Sequence, residues 1–320
     1  MANNRITFLD SAKGVCMVLI VCSHTDALVP VPMAHLAQTS AFFLLSGYFF
    51  STRLGWKEHF VKTVKTILVP FLFFYILSYV LFYLGRAFMP GFSEMTAANG
   101  ILDCFTQKQY FNGPLWFLLS LFWVRLAVYA IVTLLKRVEV QMAVSLCLGG
   151  LAYFLSKNGI DLPLSLDTAL FSVPIFHLGH LARRYDILSR PTKPEACFLA
   201  VVFYLSCMAF PVNINNSLNI YDGGYVWCMY VSVILSLAIV LASKGLLFKE
   251  QVLSFIGRHT MWIMCTHHLV YRPVKLIVSH FASPTLTPII VLLTTLMICC
   301  LSAPYAERYF PVIVGKPAKH

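Results

Sequence analysis

Ten runs of mainly apolar residues, each near the length a helix needs to cross a lipid bilayer, govern what this chain can become. They fall near residues 14–31, 33–50, 66–88, 113–135, 140–155, 166–182, 195–211, 224–242, 252–270 and 284–305. Only helices and closed barrels satisfy their backbone polar groups in lipid, and barrel strands would alternate apolar with polar residues, which these runs do not. The chain therefore reads as all-α, a polytopic membrane helix bundle forming one domain over residues 1–320. The second, fifth and sixth runs are the shortest. Composition agrees: 59% of the 320 residues are hydrophobic and 12% charged, against roughly 45–50% and 25% in a soluble domain.

The formal charge of +11 would suit nucleic acid only if the basic residues gathered on one exposed face. They lie between the apolar runs instead, so no nucleic-acid partner is expected. Of the 24 Lys and Arg, 18 fall in alternate connections, from Arg5 and Lys13 to Lys316 and Lys319. The other side holds Arg86, Lys108, Lys157, Arg272 and Lys275, and Arg125 lies within a run. By the positive-inside rule both termini are expected in the cytoplasm, and a missing or extra span would break the alternation. A cleaved signal peptide on the first run is the lesser reading, because a His sits inside it. The segment 86–112 is the longest outside connection, with room for a lid or a re-entrant stretch. The ten Cys form no CxxC pair and mostly lie inside apolar runs, so no redox compartment follows from them.

Ionisable groups inside a span are costly and are functional candidates by default. His24 leads. The eleven steps from Lys13 to His24 turn about 1100° and climb about 16 Å, which puts both on one helix face. Asp10 lies close to the same line and reaches Lys13 as an i, i+3 partner. The expectation is a charged mouth below an imidazole deep in the membrane, with Asp26 facing elsewhere. Imidazole suits acid or base work near neutral pH; the plainer alternative is a core His bonded to a neighbouring helix. Ser46 and Gly47, set among bulky residues, permit close backbone approach. Lys57, Lys62 and Lys65 form a cationic stretch that reads as an anchor on composition alone, and alternatively as a seat for a phosphorylated ligand.

Trp116 stands where an interfacial aromatic belt would place it, and Arg125, deeper in the same span, must pair or line a wet cavity. His259 and His267, eight apart, have the spacing to face one cavity, and His177-x-x-His180 is the other close pair. No carboxylate or Cys completes a ligand set beside them, so no metal is expected. Phosphate loops, nucleophile elbows and H-E-x-x-H zinc motifs are missing.

Read together, Asp10-x-x-Lys13-Gly14 with His24 beyond it, Phe42-Phe43-Leu44-Leu45-Ser46-Gly47-Tyr48-Phe49, the basic pair Lys62 and Lys65 before Pro70, Leu115-Trp116-Phe117-Leu118, and Ile256-Gly257-x-x-Thr260-x-x-Ile263-x-x-x-His267 resemble the acyltransferase-3 family of bacterial integral-membrane O-acyltransferases. Lys13 stands where many members carry Arg, and Lys62 and Lys65 match a paired-basic motif usually written with Arg, a departure that weakens any bidentate phosphate contact by that pair. The resemblance implies ten spans with both ends inside, in the bacterial inner membrane. It also implies transfer of an acyl group, commonly acetyl from acetyl-CoA, to a hydroxyl of a sugar, glycoconjugate or other envelope molecule. On that basis His24 is expected as general base, Asp10 and Lys13 as ordering the cytoplasmic mouth, and Lys62 and Lys65 as holding CoA phosphates. Ser46, Tyr48, Trp116, Arg125 and His267 are expected to line the cavity. The alternative from another class is a proton-coupled secondary transporter with His24 and Arg125 in its substrate path, although no repeat relates the two halves of the chain.

Overall fold

A computed structural model describes residues 7–27, 34–85, 111–210, 212–245 and 250–317. Most of the 86–112 connection, where a lid was considered, therefore lies outside the described residues. The α-helices are, in order, α1 (Thr7–His24), α2 (Ala34–Tyr48), α3 (Trp56–Thr63), α4 (Val69–Gly85), α5 (Trp116–Leu134), α6 (Val138–Lys157), α7 (Leu166–Arg184), α8 (Lys193–Cys207), α9 (Tyr225–Gly245), α10 (Glu250–Arg258), α11 (Thr260–Val278) and α12 (Thr287–Tyr309). A π-helical turn, Val64–Leu68, joins α3 to α4. Among the described residues, six helical stretches are long and apolar enough to cross a membrane: Thr7–His24, Trp56–Gly85, Gly113–Leu134, Val138–Lys157, Tyr225–Lys244 and Thr287–Tyr309. The architecture is an all-α bundle of membrane type.

Lipid tails are as apolar as leucine, so helices here associate by close packing rather than by escape from water. Glycine provides the approach. A Cβ on Gly47 of α2 would overlap the carbonyl oxygen of Phe176 in α7, and one on Gly179 of α7 would overlap that of Leu44 in α2. The close contact anticipated at Ser46-Gly47 is thus the α2–α7 crossing. Gly14 of α1 and Gly257 of α10 make a second reciprocal pair, each set against the other helix's backbone. Helices α1, α2, α5, α7 and α9 enclose the core around Phe43, Leu115, Phe171 and Phe176, whereas α6, α8 and α12 lie outside.

Two expectations need correction. Helix α1 runs from Thr7 to His24, not from 14 to 31, because burial in the bundle rather than hydropathy sets its start. Asp26 in a left-handed conformation (φ 57°) follows its end. His24 therefore closes the helix instead of sitting at mid-span. The run 252–270 is two helices, broken at His259: α10 is held along α1 by the glycine pair, and His259 Nδ1 lies 2.7 Å from Glu307 Oε1 of α12.

A small element that the sequence reading did not anticipate sits within the all-α frame. Strands β1 (Asn213–Asn215) and β2 (Ile220–Asp222) pair antiparallel between α8 and α9. Thr168 Oγ1 of α7 donates to the Asn216 carbonyl (2.7 Å), Ser156 Oγ of α6 donates to the Asn219 carbonyl (2.5 Å), and the Tyr221 ring stacks on Phe171 at 3.9 Å. These contacts fix the hairpin against α6 and α7.

Candidate active site

Two chambers lie along α1. One, at the His24 end, has a volume of about 240 Å³ and is lined by Ile20, Ser23, His24, Gln38, Thr39, Phe42, Pro114, Trp116, Phe117, Ile214, Asn215, Asn216, Ser217 and Met264. The second, at the Lys13 end, measures about 310 Å³ and is lined by Lys13, Ser46, Phe49, Phe50, Thr66, Ile67, Leu118, Leu121, Arg125, Thr260, Met261, Val314 and Gly315, together with Phe42, Phe117 and Met264. Those last three side chains belong to both. They form a septum between a chamber whose one titratable lining residue is His24 and a chamber with two cationic ones.

The His24 chamber is walled by hydroxyls, amides and aromatic rings. Ser23 Oγ donates to the Ile20 carbonyl (2.8 Å), so it meets Gln38 as an acceptor, and Gln38 Nε2 donates to it at 3.2 Å. This fixes the amide orientation and leaves the buried Gln38 Oε1 without a partner among the described residues. Asn216 Nδ2 lies 3.4 Å from Ser40 Oγ, and Asn216 Oδ1 is likewise buried and unpartnered. Two residues lining one chamber thus each hold a buried carbonyl oxygen with no partner among the described residues. Burial of a polar group without a bond costs about 1–3 kcal/mol, so both oxygens are acceptors in want of a donor.

His24 sits beside two rings of α11. Its Nδ1 lies 3.3 Å from His268 Nε2, and its ring centroid is 4.5 Å from that of His268 and 5.3 Å from that of His267. The end of α1 is tied to α11 a second time by Lys275 Nζ on Asp26 Oδ2 at 2.7 Å. His267 donates Nδ1–H to the Ile263 carbonyl (2.9 Å), which leaves a lone pair on its buried Nε2, an atom without a partner among the described residues. The Gly113 N–H donates to His268 Nδ1 at 3.3 Å.

One ligand nitrogen from each of His24, His267 and His268 lies within 4.8 Å of the others. For a metal, His268 would have to offer Nε2 as a lone pair and carry its proton on Nδ1, against the N–H of Gly113. That chemistry does not fit.

Of the residues singled out in the sequence, His24 and Trp116 line the first chamber, and Lys13, Ser46 and Arg125 the second. Trp116 is buried inside the bundle rather than in a lipid-facing belt. His267 stands behind His24 and away from His259, which turns to Glu307. Asp10 is buried beside Lys13, with 3.5 Å between Oδ1 and Nζ. Tyr48 lines neither chamber; its carbonyl accepts from Arg183 at 3.4 Å. Lys62 and Lys65 are exposed on α3 and the π-turn, next to Thr66 and Ile67 of the second chamber. Sequence reasoning missed Gln38, Asn216, Gly113 and His268. The amide-rich string Asn213-Ile214-Asn215-Asn216 in an outside connection was the available signal for one of them.

A family model described as an acyltransferase domain, that of the acyltransferase-3 family, matches residues 6–306. The chain belongs to this family. No curated protein and no solved structure matches it. The protein is a multi-pass membrane acyltransferase, which requires an acyl donor and an acceptor.

The acyltransferase carries a third recess, of about 460 Å³, lined by Phe50, Ser51, Thr52, Arg53, His180, Arg183 and Arg184. Phe50 also lines the Lys13 chamber, so the recess and that chamber adjoin. Guanidinium groups match phosphate oxygens bidentately. The order along the interior is thus an Arg-rich recess, a cationic chamber, an apolar septum and an amide-walled chamber ending at His24.

Proposed function

We propose that this acyltransferase moves an acyl group, acetyl from acetyl-CoA, to a hydroxyl of an uncharged, polyhydroxylated acceptor, a sugar or glycoconjugate of the cell envelope. The observation that carries the reading is the pairing of chambers across Phe42, Phe117 and Met264: cationic on the Lys13 side, free of Lys, Arg, Asp and Glu on the His24 side. The donor enters at the Lys13 end. Its phosphates meet the basic rim, Lys62 and Lys65 on one flank and Arg53, Arg183 and Arg184 on the other. The thioester reaches the septum past Ser46 and Arg125. The acceptor enters from the opposite face and places hydroxyls on Gln38 Oε1 and Asn216 Oδ1, with Trp116 against its apolar face. His24 stands where the two reagents meet.

In this reading the chain is one domain in the bacterial inner membrane, crossing ten times with both ends in the cytoplasm. The four crossings beyond the six long apolar helices are α2, α7, α8 and α11, which depart from length and hydropathy because they are short or carry the polar site.

The test is transfer of radiolabelled acetyl from acetyl-CoA to envelope glycans in membrane vesicles, followed by mass spectrometry of the acceptor. Substitution His24→Ala should lower labelling by about 10²–10³-fold while insertion stays normal. Full labelling by that variant, or no acyl increment on any envelope molecule, would overturn the proposal.

A further inference from the structure

We propose that His24 enters the reaction as a hydrogen-bond donor through Nε2–H, in a tautomer set by Gly113 and His268, and not as the proton-accepting base that the sequence suggested. The proposal rests on the acyltransferase reading above and assigns the chemistry of its central residue.

A backbone N–H has one role, to donate. Because Gly113 N–H points at His268 Nδ1 from 3.3 Å, that nitrogen presents its lone pair, and neutral His268 carries its proton on Nε2. Nε2 faces His24 Nδ1, also at 3.3 Å, so His268 donates and His24 accepts. Neutral His24 then holds its own proton on Nε2. The reverse assignment would set the Nδ1–H of His268 against the N–H of Gly113. His24 Nε2 has no partner among the described residues, and the ring lines the chamber. What the acceptor chamber meets is therefore an N–H.

The sequence holds the relay in place. Asn112 Nδ2 donates to Ser78 Oγ (2.8 Å) and to the Cys265 carbonyl (2.9 Å), which pins the turn Gly113–Leu115 to α4 and α11. A Cβ on Gly113 would stand 3.1 Å from His268 Cε1, tighter than ordinary contact. The glycine lets the amide reach the ring without displacing it.

An N–H at this point suits the thioester carbonyl. As the acceptor oxygen forms its bond to the carbonyl carbon and the C–S bond breaks, charge builds on the carbonyl oxygen, and His24 Nε2–H stabilises it. The proton of the hydroxyl ends on the CoA sulfur, so ester and free thiol are the products and no other reagent is consumed. His268 is a positioning residue that acts through His24.

Two measurements test this. In nitrogen-labelled histidine NMR of the purified protein in nanodiscs, His24 should show a protonated Nε2 and a bare Nδ1, and His268→Leu should abolish that preference. A protonated Nδ1 on His24 in the unaltered protein would overturn the proposal whatever the activity. In vesicle labelling from acetyl-CoA, His24→Gln keeps an amide donor near the Nε2 position and should stay within about tenfold of the unaltered protein, whereas His24→Asn and His24→Ala should fall about 10²–10³-fold. Likewise His268→Gln should retain labelling that His268→Leu loses. A His24→Gln protein as inactive as His24→Ala would overturn the donor role. If the unaltered protein labels no acceptor while the NMR result holds, it is the acyltransferase assignment of the site that fails, not the tautomer.

Discussion

Gln38 Oε1 and Asn216 Oδ1 are the residue-scale mark of what the chamber takes. Each is buried and without a hydrogen-bond partner among the described residues, on a side chain lining a chamber in which His24 is the one titratable group. Gln38→Met keeps the volume and removes the carbonyl. Losing one hydrogen bond to a ligand hydroxyl costs about 1–2 kcal/mol, roughly 5- to 30-fold, so labelling of envelope glycans at limiting acceptor should fall by that factor while the KM for acetyl-CoA stays unchanged. A matching rise in the acetyl-CoA KM would place Gln38 on the donor side instead. Gly113→Ala should slow transfer by pressing on His268, without loss of thermal stability in detergent. At this scale the sequence was partly legible. An imidazole in an apolar run stands out by its cost, and so do Lys13 and Arg125. Gln38 and Asn216 do not, because an amide in a helix or outside loop is unremarkable until its partners are known.

At the scale of elements, the glycine pairs decide which helices touch. Gly47→Val should misplace α2 against α7 and lower the melting temperature in detergent, since overpacking of this kind costs about 1–3 kcal/mol. Gly150→Ala is the control, because its Cβ would meet only the Tyr225 ring at 3.8 Å and should leave the melt unmoved. The hairpin makes a separate prediction. Thr168→Val removes the hydroxyl that holds the Asn216 carbonyl, so labelling should fall with little change in the melt. Helix positions were readable from hydropathy to within a few residues, except where packing overrode it. The start of α1 at Thr7 and the break at His259 both follow from the contact of α1 with α10, which no hydrophobic run records. The hairpin escaped because three-residue strands rich in Asn carry no periodic signal.

At the scale of the whole molecule, charge distribution is the feature most fully written in the chain. Basic residues around Lys57 should face the cytoplasm and Asn158 the opposite side. Single cysteines at these two positions, probed on intact cells with an impermeant thiol reagent above the background of the native cysteines, should label only at Asn158. Charge reversal at Arg53 and Arg183 together, and separately at Lys62 and Lys65, should raise the KM for acetyl-CoA; an unchanged value at either pair removes that pair from the donor seat. What the distribution of charge does not reveal is the interior. Phe42, Phe117 and Met264 come from three helices, α2, α5 and α11, and nothing in one dimension announces that they meet.

Their meeting bears on how such a protein lives in an energised membrane. A continuous wet bore between two aqueous phases would leak ions and collapse the voltage across the bilayer. Under the proposed function, two phenyl rings and a thioether would form an oily contact that hydrated ions cross poorly, while the thioester carbonyl, still bonded to its sulfur, would meet the acceptor hydroxyl between soft side chains that rotate. On that reading the enzyme would pass an acyl group between two reagents without the alternating doors of a carrier.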